Sequence, residues 1–283
     1  MPTISYDASR TALYSPERHD TLFEQGRNHT PTQWAIEAAR LAYYRAEGSE
    51  AEKQRLTGAL ANAGFGPPTL FVDGAIFAFG TVHAGDHSAL IAFRGTQPDE
   101  IRHLATSLQA QQCVWTESGG RAHAGFAKAA RDVMPQLHDW LAGVGIQRSR
   151  LILAGHSLGA ALATLTATVL RPDLLVTLGS PRVGDAEFVA VLADTNIVRP
   201  VDGCDVVTQL PPALSFYAHA GAVTYITCLD GACVDDPAPP MIEADRIQGR
   251  ARYETEHAWK PGAVLLRELA DHAPINYARA FFG

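Results

Sequence analysis

The sequence predicts an α/β fold, with a mixed, mostly parallel central sheet flanked by helices. Two observations carry this. From Arg150 to Val201, short apolar runs alternate with helical stretches: Arg150 to Ala154, Leu174 to Leu178 and Ile197 to Val201 read as buried strands. Leu158 to Leu170 and a stretch near Ala186 to Leu192 read as the helices between them. Such alternation means βαβ units and a parallel sheet covered on both faces. Upstream, Thr69 to Val72, Ala75 to Val82 and Ser88 to Phe93 are β-rich runs separated by Asp73-Gly74 and Gly85-Asp86. That is a meander of antiparallel strands joined by hairpin turns.

The remaining elements follow from pattern. Thr30 or Thr32 caps a helix whose apolar residues Trp34, Ile36, Ala39 and Leu41 share one face. A second helical stretch runs to about Ala63, where Gly64 and Gly66-Pro67-Pro68 stop it. The pattern from Ala122 to Leu141 is helical, with Pro135 as a kink point. Thr224 to Cys228 reads as a further strand. Pro237 to Pro240 reads as a surface loop, and Ala263 to Phe282 as one or two closing helices.

Composition excludes more than it assigns. A chain of 283 residues with 47% hydrophobic and 19% charged residues is ordinary for a globular protein with a large core. A net charge of -7 argues against nucleic acid and anionic membranes, which need a basic field. Met1 to Arg10 lacks the apolar core of a signal peptide, and no run of about eighteen apolar residues offers a membrane span. The expectation is a cytoplasmic protein, or one exported without a visible leader; a chain already trimmed of its leader looks the same. Cys113, Cys204, Cys228 and Cys233 form no CxxC pair and no zinc-type cluster, so no metal is expected. Cys228 and Cys233 flank a turn sequence that an oxidising compartment could bridge; buried free thiols are the plainer reading.

Gly155-His156-Ser157-Leu158-Gly159 matches G-x-S-x-G. Composition alone yields roughly 0.08 such matches in a chain like this, so context decides. Leu151 to Ala154 is an apolar strand, and a helix rich in small residues follows. A sharp strand-to-helix turn lifts the serine hydroxyl above the sheet edge, and flanking glycines remove the Cβ atoms that would clash. The Leu158 amide then opens a helix, where free N–H groups favour negative charge. Ser157 reads as a nucleophile. It needs a general base oriented by a carboxylate, in the order serine, acid, histidine. His219, His257 and His272 are the histidines downstream.

Several segments resemble class 3 (fungal-type triacylglycerol) lipases of the α/β-hydrolase fold. They are Ile91-Ala92-Phe93-Arg94-Gly95-Thr96, His123-Ala124-Gly125-Phe126, the Gly155 to Gly159 elbow, and Thr177 to Gly184. Asp205 to Pro212 and Tyr217-Ala218-His219 complete the set. They occur in family order over about residues 88 to 226, roughly half the chain. The resemblance implies Asp205 as the acid, with Asp202 as the alternative, and Thr96 with Leu158 as oxyanion donors. Asp271 to Tyr277 is similar to the family's end segment, which implies His272 as the base; His257 is the rival. Thr208 stands where proline is more usual and Cys204 where asparagine is common. His219 and His123 are implied to be structural, the His156 ring to point away from the hydroxyl, and Arg94 to be an ion-pair partner.

In this family the segment after Thr96 is a lid. Ile101, Leu104, Ala105 and Leu108 in 97–112 have helical spacing, while the family's aspartate–tryptophan pair is absent. The resemblance implies one α/β-hydrolase domain over 1–283, with 1–66 a helical part packed on it. It implies a carboxylic ester hydrolase, a triacylglycerol lipase or esterase, acting on an acyl ester or lipid at a lipid–water interface without a cofactor. Phospholipase A1 and feruloyl esterase are alternatives on the same scaffold. A non-catalytic binding protein of this fold would have a broken triad, and this sequence supplies every member.

Overall fold

The computed structural model describes residues 4–95, 111–144, 148–212 and 216–282. Three helices precede the sheet: α1 (Arg10–Tyr14), α2 (Pro31–Leu41) and α3 (Glu50–Asn62). Thr30 caps α2. Its hydroxyl accepts from the Gln33 N–H while the Gln33 side chain accepts from the Thr30 N–H, a reciprocal capping box. Pro31 at the first helical position costs no hydrogen bond there.

The strands β1 (Thr69–Asp73), β2 (Ile76–Val82) and β3 (Ala89–Phe93) form the expected antiparallel meander. β4 (Gln112–Val114) and β5 (Arg121–His123) make a separate small ribbon. Here the structure corrects the reading of a helix from Ala122: that residue is in β5, and the helix α4 is Ala124–Val144, with Pro135 inside it. Next come β6 (Leu151–His156), α5 (Leu158–Leu170), β7 (Leu174–Leu178), α6 (Ala186–Ala190) and β8 (Ile197–Asp202). β9 (Val223–Ile226), β10 (Cys233–Asp235), α7 (Pro239–Glu256), α8 (Arg267–Ala270) and α9 (Pro274–Phe282) complete the chain. Pro239 therefore begins a helix rather than lying in a surface loop.

The eight-stranded sheet has the order β1-β2-β3-β6-β7-β8-β9-β10. β3, β6, β7, β8 and β9 are parallel neighbours; β2 and the edge strand β1 add antiparallel on one side and the edge strand β10 on the other. This is the mixed, mostly parallel sheet the sequence predicts. Side chains of a strand alternate between faces, and the core divides accordingly. Leu90, Ala92, Ile152, Ala154 and Val176 join Trp34, Ile36 and Tyr277 on the α2 and α9 side. Ile91, Phe93, Leu151, Leu153 and Leu175 join Phe126, Leu137 and Leu162 on the α4 and α5 side. The carboxyl ends of β6, β7 and β8 then present Ser157, Gly179 and the segment from Gly203 to one edge, where open α/β sheets place their chemistry.

Candidate active site

Ser157 sits in the turn between β6 and α5 with φ 58° and ψ -126°, a conformation that side-chain-bearing residues rarely adopt. Its N–H donates to the Leu178 carbonyl at the end of β7 (2.9 Å). The glycines that flank it are required by close packing. A Cβ on Gly155 would lie 2.2 Å from the Gly159 carbonyl oxygen, and one on Gly159 would lie 2.3 Å from the Phe93 oxygen of β3. Any larger residue at either position would push α5 off the sheet.

His272 lies in the short link between α8 and α9, fully buried beside a fully buried Asp205. Its Nδ1 donates to Asp205 Oδ2 at 2.8 Å, because a carboxylate only accepts. The other oxygen, Oδ1, accepts the Val207 N–H at 2.8 Å, and the Tyr277 hydroxyl from α9 also donates to Oδ2. Burial and the carboxylates of Asp205 and Asp202 push the Tyr277 phenol well above its ordinary value, so it remains a donor. Thr208, the departure from the family's proline, donates its hydroxyl to the Asp205 carbonyl at 2.8 Å. It secures the acid loop by a bond that proline lacks.

His156 holds the two halves together. Its Nε2 donates to the His272 carbonyl (2.9 Å), so its Nδ1 accepts from the Tyr43 hydroxyl (2.8 Å). Burial, reinforced by the His272 charge, keeps this ring neutral well below its ordinary titration range. The residue before the nucleophile thus grips the backbone of the histidine. Gly179, next to Leu178, lies under both partners: a Cβ there would come 2.9 Å from Asp205 Oδ2 and 3.2 Å from His272 Nδ1. Ser157 Oγ and His272 Nε2 are buried and have no hydrogen-bond partner among the described residues. These are the two atoms a serine nucleophile and its base need unengaged.

The rival residues have other contacts. Asp202 meets Arg279 at 3.3 Å, and burial, then the neighbouring Asp271, raises its carboxyl well above the ordinary value. His257 packs its ring against Tyr6 and Tyr253. His219 Nε2 donates to the Thr208 carbonyl at 2.9 Å. His123 Nδ1 accepts the Gly125 and Phe126 N–H groups at the start of α4 (3.1 and 3.3 Å). Arg94 pairs with Glu47 and covers the Phe77 ring. The Leu158 N–H belongs to the first turn of α5, where a helix has no acceptor of its own and carries partial positive charge. Thr96 lies outside the described residues, as does 97–110 of the lid segment. Tyr43 and the bond from Tyr277 to Asp205 escaped the sequence reading: Tyr277 closes the Asp271 to Tyr277 segment, but each tyrosine lies far along the chain from its partner.

A serine in a strained strand-to-helix turn on a mostly parallel sheet, beside a histidine bonded to a buried aspartate, defines an α/β-hydrolase. Residues 90–215 match the family model of the class 3 lipases. The Rhizomucor miehei lipase is 35% identical over 151 residues, covering 48% of this chain and 41% of that protein. The secreted mono- and diacylglycerol lipase 1 of Fusarium solani is 33% identical over 127 residues, 42% of this chain and 37% of the relative. The chain therefore spans about two fifths of the length of the curated relatives it matches. A solved structure of the Rhizomucor miehei triacylglyceride lipase is 25% identical with a TM-score of 0.57, covering 71% of this chain and 82% of that one. Over residues 90–215 the chain is thus similar to the class 3 lipases, and its fold is that of the α/β-hydrolases.

Proposed function

We propose that this protein is a carboxylic ester hydrolase, a triacylglycerol lipase or esterase, with Ser157 as nucleophile, His272 as base and Asp205 as the orienting acid. The observation that carries the reading is the pairing of His272 Nδ1 with the buried Asp205 carboxylate, which leaves Nε2 unengaged beside the Ser157 elbow. Its support in the relatives is the lipase named in Rhizomucor miehei and the mono- and diacylglycerol lipase of Fusarium solani.

In this mechanism Ser157 Oγ attacks the ester carbonyl while its proton passes to His272 Nε2. Asp205 stabilises the imidazolium by accepting from Nδ1. The oxyanion of the tetrahedral intermediate takes hydrogen bonds from the Leu158 N–H and from Thr96. Loss of one such donor costs about 3 kcal/mol of transition-state stabilisation. His272 then protonates the departing alkoxide, leaving an acyl group on Ser157. Water, deprotonated by the same Nε2, releases the acid and restores the serine.

A second reading has its own observation. The phospholipase A(1) DAD1 of Arabidopsis thaliana is 28% identical over 153 residues, 45% of this chain and 34% of that protein. Hydrolysis of p-nitrophenyl esters across chain lengths, and of emulsified triolein against phosphatidylcholine, separates the two. Triolein is the expected substrate; preference for the phospholipid replaces the lipase reading and leaves the triad intact. Ser157→Ala should lower kcat by about 10⁴-fold or more. Activity that survives it, or that depends on His257 rather than His272, overturns the mechanism.

A further inference from the structure

Cys204 and Cys228 lie side by side in the interior, Sγ to Sγ 3.8 Å, although 24 residues apart in sequence. Cys204 follows β8 and immediately precedes Asp205; Cys228 lies just beyond β9, the neighbouring strand. Cys204 is fully buried and Cys228 is 6% exposed. Cys233, the partner suggested by the turn sequence, is exposed on β10 with its sulfur against the Ala280 carbonyl. Gly249 of α7 closes the other side: a Cβ there would lie 2.6 Å from Cys228 Sγ. The Cys228 side chain is thus walled in facing Cys204.

We propose that Cys204 and Cys228 form a disulfide when the protein meets a low-molecular-weight disulfide of the oxidised glutathione class. A disulfide needs about 2.05 Å between sulfurs, so each sulfur moves inward by about 1 Å. When local opening uncovers Cys228, which is 6% exposed in the closed fold, its thiolate attacks one sulfur of the reagent and expels one glutathione thiolate. Cys204 then attacks Cys228 Sγ and expels the second. Two protein thiols are oxidised, one reagent disulfide is reduced to two thiols, and the two protons go to those leaving groups.

The bond ties β9 to the loop that carries Asp205. The Cys204 N–H already donates to Asp271 Oδ2 at 2.8 Å, one residue before His272. The cross-link therefore clamps the segment that sets the acid against the histidine. The sulfurs and an Asp271 oxygen also fall within 4.8 Å of one another, as metal ligands would. However, Asp271 Oδ2 is held by Arg267 Nε at 3.0 Å, and a cation there would sit against a buried guanidinium. The thiol chemistry is independent of the role given to Ser157.

The test is to incubate the reduced full-length chain with oxidised glutathione, alkylate free thiols in denaturant, and map non-reduced peptides. A peptide pair joining Cys204 to Cys228 is expected, in a protein two hydrogens lighter. Its melting temperature should exceed that of the dithiothreitol-treated protein by several degrees. Cys233→Ala should keep the cross-link and Cys204→Ala should lose it. Free thiols at both positions after oxidation in wild-type protein overturn the proposal. So does Cys228 joined to Cys233, or stoichiometric zinc retained on the reduced protein by elemental analysis.

Discussion

Asp205 accepts from His272 and Tyr277 on one oxygen and from the Val207 amide on the other. Three donors to one carboxylate fix its plane, and with it the tautomer of His272. Asp205→Asn preserves the shape but can present an N–H to Nδ1, so kcat should fall by about 10⁴-fold with little change in fold. Near-wild-type turnover in that variant would remove Asp205 from the mechanism. Tyr277→Phe deletes a single donor to a charged acceptor. We expect kcat about 10-fold lower with KM unchanged, and the acid limb of the pH–rate profile moved to higher pH. A purely structural tyrosine would lower stability and leave that limb in place. At this scale the sequence was informative wherever the chemistry is local: the elbow around Ser157 is contiguous, and Leu158 follows from it. The bonds made by Tyr43 and Tyr277 were invisible because their partners lie on other elements.

Among elements, α5 is the one on which the site depends. It is lined with small residues because it runs against β3 and β6, and Gly159 packs directly on the Phe93 backbone. Gly159→Ala would lose about 1–3 kcal/mol of stability through this overlap. Urea unfolding measures it, and an unchanged midpoint would show that the helix can shift without cost. α2 and the meander β1 to β3 agree with the sequence because their signals are local: a capping threonine before an apolar stretch, and β-rich runs separated by Asp73-Gly74 and Gly85-Asp86. α7 was missed for the opposite reason. It buries only Gly249 and Tyr253, so no apolar stripe announces it, and its opening Pro239-Pro240 looks like a loop until the helix is seen to begin there. β5 was absorbed into the following helix because its three residues are too few to show alternation.

Across the whole molecule, buried histidines link stability to pH. Burial lowers the His123 pKa to about 4, and burial with the Arg199 and Arg182 charges lowers that of His219 to about 3. Both begin from an ordinary value of 6.5. The unfolded chain therefore binds protons that the folded one refuses, and stability is lost as pH falls below about 6.5. For His123 the loss at pH 5 is about 2 kcal/mol. The buried carboxyls of Asp202 and Asp271 are raised and oppose this trend, so a difference measurement isolates the histidine. His123→Asn keeps an acceptor for the Gly125 and Phe126 amides. The drop in unfolding free energy from pH 7 to pH 5 should be about 2 kcal/mol smaller in the variant, and an equal drop in both proteins would contradict the assignment. No helix among the described residues is long and apolar enough to cross a membrane.

The sequence by itself determined the βαβ character of the parallel core, the antiparallel meander before it and the nucleophile turn at the sheet edge; the strand order came from the structure. Hydrophobic periodicity and glycine placement act over a few residues and are written in the local chain. Only the tertiary structure decided that His272 rather than His257 meets Asp205, and that the His156 ring grips the His272 backbone. It also decided that Cys228 faces Cys204 rather than Cys233. Each of these contacts joins residues separated by tens to hundreds of positions: the link between α8 and α9 brings His272 to Asp205 and His156, and the pairing of β8 with β9 brings Cys228 to Cys204. A one-dimensional pattern carries no record of which distant side chains share that buried space.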